Sequence, residues 1–204
     1  NLIPGVATGY TVSDDNLTYT FTLRDNAKWS NGDPVTAGDF VYAWRRAASP
    51  ELASPYAWYI ELMSIENGAE VIAGDMPATD LGVTAIDDLT FEVRLSQPLP
   101  YFPQMVTHGT TFPVHPATVE EFGSDWVLPG NMVSNGAYVL TEFVPQERLV
   151  RERNAMYWNN DARTAFNPFR DYFWQGDHMG MAFGEYGVDW TLLRAAAAAA
   201  VFVS

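Results

Sequence analysis

Residues 17–50, LTYTFTLRDNAKWSNGDPVTAGDFVYAWRRAASP, decide how the rest of the chain is read. Tyr19, Phe21 and Leu23 alternate with Thr18, Thr20 and Thr22, so one face is apolar and the other hydroxylated, as in a half-buried strand. Arg24 closes that run with a charge. After Trp29, Ser30-Asn31-Gly32-Asp33-Pro34 joins a dipeptide that tolerates positive φ to a proline that lacks a ladder amide, so the chain turns here. Thr36 stands three residues before Asp39, the spacing of a capping box, and Phe40, Trp44 and Ala47 recur behind it at helical spacing. Arg45 and Arg46 fall in the last turn of that helix, where cations suit its dipole.

Working outward, the polar run Ser13-Asp14-Asp15-Asn16 lets residues 9–12 pair with residues 17–24 as a hairpin. Residues 60–74 read as two short helices interrupted at Asn67-Gly68, and residues 84–95 as a second hairpin turning at Asp87-Asp88. The breaker Gln97-Pro98-Leu99-Pro100 precedes a short helix over 101–106. A brief helix over 117–122 ends at Gly123, residues 125–130 read as loop, and a third hairpin pairs 138–140 with 149–153. Antiparallel hairpins with short helices packed against them make an α+β fold. The loop from Ser49 carries two prolines and opens into Tyr56, Trp58 and Tyr59, an aromatic cluster that, taken in isolation, reads as core packing.

Composition narrows the function. The 204 residues are 48% hydrophobic, enough for a sizeable core in one large or two small domains. Eleven basic against 25 acidic residues give a net charge of −14, which argues against a nucleic-acid partner or an anionic membrane surface. With no cysteine, disulfides, thiolate nucleophiles and zinc-thiolate sites are all excluded. There is no Gly-x-Ser-x-Gly elbow and no glycine-rich phosphate loop, and only His108, His115 and His178 could act as a base. The acidic pairs at 87–88 and 120–121 read as solvated faces, so no enzyme is expected. His108 and His115, seven residues apart across Pro113, do not share a helix face as metal ligands on adjacent turns do, and neither metal nor cofactor is expected. No run of about 18 apolar residues exists. The first residues lack the charged and apolar regions of a secretion signal, which fits a mature or, in preference, a truncated chain.

The identity and order of these residues carry a resemblance. Tyr19, Phe21, Leu23-Arg24, Ala27-Lys28-Trp29-Ser30, Gly32, Pro34-Val35-Thr36-Ala37, Asp39-Phe40-Val41-Tyr42 and Trp44-Arg45-Arg46 are followed by SPYA at 54–57, ATDLGV at 78–83 and PYF at 100–102. NGAY at 135–138 and RNAMYW at 153–158 complete the series, with Ala155 where a proline is usual. The series resembles the bacterial extracellular solute-binding proteins of family 5, the oligopeptide- and dipeptide-binding receptors of ABC importers. The resemblance implies a periplasmic-binding-protein-like fold (type II, cluster C), with residues 1–160 as first-lobe segments; it stops beyond Asp161, and residues 161–204 are left as a tail of uncertain assignment, a natural low-complexity helix or a misassigned or chimeric sequence. It implies a monomer that captures an oligopeptide ligand and delivers it to ABC transporter permease subunits in the inner membrane. Such a protein is periplasmic or lipid-anchored to the outer face of the cytoplasmic membrane. Within the family the alternative ligands are dipeptides, nickel, haem, murein peptides and oligosaccharides; outside it, the alternatives are a hydrolytic enzyme or an interaction scaffold. For the ligand site the resemblance singles out Tyr56, whose counterpart lines the peptide pocket near the ligand's N-terminal end. It also points to His108, at a position in the cleft region for which no role is assigned.

Overall fold

The alternation of Tyr19, Phe21 and Leu23 with threonines builds an inner strand of a four-stranded antiparallel sheet. The computed structural model describes residues 2–160 and the backbone of 202–203. Its sheet comprises β2 (Ala7–Val12), β3 (Thr18–Leu23), β4 (Val83–Asp87) and β5 (Thr90–Arg94) in the order β2-β3-β5-β4, while β1 (Ile3–Pro4) pairs apart with β8 (Phe202–Val203). In the register, Tyr19 faces Val93 and Phe21 faces Phe91. All four are buried, whereas the threonines of β3 lie on the more exposed face, so the pleat sorts the strand as its period of two requires.

Helix α1 (Ala37–Ala48) covers the apolar face, with the Phe40 ring 5.5 Å from Phe91 and the Trp44 ring meeting Phe91 edge-on at 5.1 Å. Phe21, Phe40, Phe91 and Phe102 are wholly buried, each contributing about 1.5–3 kcal/mol by leaving water. The capping box forms as spaced: Asp39 Oδ2 accepts the Thr36 amide at 2.9 Å, and the same oxygen accepts the Trp29 indole N–H at 2.9 Å. Short helices α2 (Ala57–Leu62), α3 (Gly68–Ala73) and α4 (Phe102–Met105) extend this core. A smaller cluster of Val119, Trp126, Met132 and Leu140 joins α5 (Pro116–Phe122) to the hairpin of β6 (Tyr138–Val144) and β7 (Arg148–Arg153).

Three differences from the sequence expectation have a clear physical cause. β2 starts at Ala7, two residues early, because Ala7 packs in the core opposite Leu23. β6 continues to Val144, and its Phe143, paired with Leu149 of β7, packs with it against the smaller cluster, a non-local contact that local alternation does not announce. Residues 123–127 wind as a 3-10 turn where a loop was expected, held by buried Trp126. The expectation for the tail, apart from the backbone of 202–203, falls outside the described residues.

The ATDLGV phrase has a steric cause. Gly82 donates to Glu66 O at 2.9 Å and accepts from the Arg94 amide at 2.8 Å, tying β5 to the segment before α3. A Cβ at Gly82 would lie 2.7 Å from Arg94 O and 2.8 Å from Glu66 Cβ, closer than packed atoms tolerate. Gly82→Ala is expected to destabilise the chain by about 1–3 kcal/mol in urea unfolding, the usual range for an overpacked site; a change below about 0.5 kcal/mol would show that the crossing relaxes freely.

Candidate functional site

Tyr56 takes its position from the residues just before it. The Ser54 hydroxyl accepts the Tyr56 amide at 3.3 Å and the Ser54 carbonyl accepts the Ala57 amide at 3.1 Å, closing a turn that hands the chain into α2 with Tyr56 as its N-cap residue. Tyr56 is half-buried and lines a groove of about 70 Å³. Its lining comes from the C-terminal half of α1 with Trp29, and from Gly109, Thr110 and residues 112–114 with Trp126 and Met132. The Trp44 indole ties these two segments together by donating to Thr111 O at 2.9 Å, and the Thr111 hydroxyl donates to Val106 O at 2.8 Å.

His108 lies close to Tyr56. Its ring stacks on Tyr59 with centroids 4.1 Å apart and planes 22° apart, and it stands 5.8 Å from the Tyr56 ring. Nδ1 accepts the Thr110 amide at 3.2 Å, capping the 3-10 turn Gly109–Thr111, so in the neutral ring the proton sits on Nε2. Burial lowers the His108 pKa and raises that of Tyr59, whose hydroxyl donates to Met105 O at 2.9 Å. The aromatic cluster is therefore divided. Tyr59 packs against the core, Trp58 stands 52% exposed, and Tyr56 lines the groove.

His115 forms a different constellation. Its Nε2 is 3.0 Å from Asp33 Oδ2 and its Nδ1 2.7 Å from Thr118 Oγ1, a carboxylate–imidazole–hydroxyl chain that resembles hydrolytic machinery. Its surroundings assign it another job. Nδ1 also accepts the Thr118 amide at 3.3 Å, the N-cap bond of α5, and Thr118 is only 5% exposed, so a substrate carbonyl has no approach to its hydroxyl. The 82 residues separating Asp33 from His115 hid this pair from local reading. Among the described residues, no group of three or more histidine, aspartate or glutamate side chains is placed to hold a metal ion, and no helix is long and apolar enough to cross a membrane. Arg46, which the sequence presents as a dipole-matching cation at a helix end, lines the groove.

Comparison with known proteins connects this geometry to a family. The model of the bacterial extracellular solute-binding proteins, family 5 Middle, matches residues 1–169. The periplasmic oligopeptide-binding protein OppA of Salmonella typhimurium is 53% identical over 164 residues, covering 80% of this chain and 30% of that protein. The periplasmic murein peptide-binding protein MppA of Escherichia coli is 48% identical over 159 residues, covering 78% of this chain and 29% of that protein. Among solved structures, Haemophilus influenzae OppA in complex with the peptide RPPGFSPFR superposes with a TM-score of 0.77 at 45% identity, over 79% of this chain and 31% of that one. The chain thus spans about 30% of the length of the curated relatives it matches.

The lowered pKa of His108 has a measurable consequence. Stabilisation by the neutral ring is complete above about pH 6.5, the unperturbed value, and is lost as pH falls through the lowered one. His108→Asn keeps an acceptor for the Thr110 amide but does not titrate. The difference in melting temperature between the parent chain and this variant is expected to change below about pH 6.5 at the parent's expense. A difference constant across that window would show that the ring is not held neutral by burial.

Proposed function

The chain belongs to the bacterial extracellular solute-binding proteins of family 5, and from that premise we propose that it forms part of the substrate-binding component of an ABC importer. This component captures oligopeptides in the periplasm, or while lipid-anchored at the outer face of the cytoplasmic membrane, and passes them to permease subunits in the inner membrane. It works as a monomer and performs no catalysis. The observation that carries the reading is Tyr56, held by the SPYA turn at the edge of an aromatic-lined groove. The 53% identity to a periplasmic oligopeptide-binding protein supports it.

The physics of the site agrees with a ligand whose side chains vary. A receptor for many peptides holds the common main chain by hydrogen bonds and leaves aromatic, hydrated pockets for the variable parts. Tyr56 gives such a pocket a flat apolar face with a polar tip, at low conformational cost. In two-lobed receptors the site lies between lobes that close by hinge motion, each lobe contributing one side; the groove beside Tyr56 is one such side. The net charge of −14 disfavours nucleic acid as a partner. The buried Thr118 hydroxyl, already engaged with His115, argues against hydrolysis.

Thermal unfolding with and without a tripeptide library tests the reading. At least one peptide is expected to raise the melting temperature, and Tyr56→Ala to weaken its affinity about tenfold, as truncating an aromatic contact does. A full-length protein stabilised by no peptide, or bound equally well after Tyr56→Ala, would overturn it.

A further inference from the structure

We propose that His115 is a pH-operated latch between the turn at residues 30–33 and α5, in which protonation of the ring exchanges the N-cap bond of α5 for a charged tie to Asp33. Two partners fix the state of the neutral ring. The Asp33 carboxylate, 3.0 Å from Nε2, can only accept, and the Thr118 amide, 3.3 Å from Nδ1, can only donate. The proton therefore sits on Nε2 and points at Asp33, while Nδ1 keeps its lone pair for α5. The Thr118 hydroxyl, 2.7 Å from Nδ1, donates to the same lone pair.

A proton taken from solvent at Nδ1 occupies that lone pair. The Thr118 amide then loses its acceptor and joins the unsatisfied donors of a helix start. The Thr118 hydroxyl keeps its place by turning its own hydrogen away and accepting from Nδ1 instead. On the other side of the ring, the Nε2 bond to Asp33 becomes charge-assisted and strengthens. One proton thus loosens the first turn of α5 and tightens the tie at Asp33. Solvent reaches the ring through Asp33, whose side chain is 57% exposed against 10% for His115.

The surroundings favour this exchange and place it at a seam. Asp33 approaches the ring from the turn, and Asp39 of α1 is close enough to feel its charge. Trp29, which donates to Asp39, meets the imidazole at 5.4 Å with the planes 72° apart. Glu120 and Glu121, the acidic residues of α5, are exposed. Trp29 belongs to the larger core and Val119, the residue after Thr118, to the smaller one, so protonation acts where the two clusters join. The same turn holds the segment before β6: the Ser30 amide donates to Ser134 O at 2.8 Å, and the Ser30 hydroxyl accepts the Ser134 amide at 3.1 Å.

NMR of the ring nitrogens and the backbone amides in the 204-residue chain, followed from about pH 8 to about pH 5, tests the latch. The His115 signals are assigned by their loss in His115→Gln. At the alkaline end the ring is expected to carry its proton on Nε2. On acidification the Thr118 amide proton is expected to move upfield, as a donor losing its acceptor does, with the same midpoint as the ring. Asp33→Asn removes a charge that favours the protonated ring and is expected to lower that midpoint by about half a pH unit, the strength of an exposed ion pair. Thr118→Val leaves a protonated Nδ1 without an acceptor and is expected to lower it by about one, while Thr118→Ser keeps the parent value. A ring protonated on Nδ1 at about pH 8, a ring still neutral at about pH 5, or a Thr118 amide indifferent to its titration would each overturn the latch. So would a midpoint that Asp33→Asn leaves in place or raises. The ring state and the Thr118 response are read in the unaltered chain and need no variant to fold.

Discussion

Asp39 Oδ2 accepts two hydrogen bonds of 2.9 Å, from the Thr36 amide and the Trp29 indole, at a residue that is 7% exposed. Burial raises the Asp39 pKa, while the bonds from Thr36 and Trp29 and the nearby His115 act the other way. The carboxylate thus joins a side chain before the turn to the first turn of α1, and fixes the direction in which the helix leaves the hairpin. Much of the molecule follows from that direction. Phe40 and Trp44 reach Phe91 on the sheet, and Ala43 and Arg46 stand beside Trp29 along the groove.

Legibility in the sequence tracks the distance over which the causes act. Strand β3, the Asn-Gly turn and the Thr36–Asp39 cap are set by neighbours within a few residues, and each forms as its spacing implies. The Trp29–Asp39 bond spans ten residues and has no spacing rule, so the cap was readable and its tie to the core was not. The Asp33–His115 pair and the stacking of His108 on Tyr59 join residues far apart in the chain, which no local pattern encodes. Arg46 is instructive in a different way: its position at a helix end gives a sufficient local reason for a cation, and that reason concealed its place on the groove. Tyr56 became a site candidate through resemblance alone, since an aromatic after a proline-rich loop reads by itself as core; in the structure it is half-buried and lines the groove.

The fold and the site are connected by two layers of indole hydrogen bonds. Trp29 ties the turn to the start of α1, and Trp44 ties the end of α1 to the Gly109–Thr111 turn, which also contributes to the groove. Both indoles are essentially buried, so their N–H groups have no water to fall back on and their partners become geometric constraints. Any loosening of α1 would move both walls of the groove together. The aromatic shelf of Tyr56, His108 and Tyr59 is carried by the same frame, because Thr111 also holds the segment that begins at His108.

The claim that Asp39 is the fixing point is most directly tested by a double-mutant cycle between Trp29→Phe and Asp39→Ala, read by urea unfolding. A coupling energy of about 1–2 kcal/mol is predicted, since the two side chains share one buried hydrogen bond. Effects that add within about 0.5 kcal/mol would contradict it, by showing that the turn and the helix hold their positions independently.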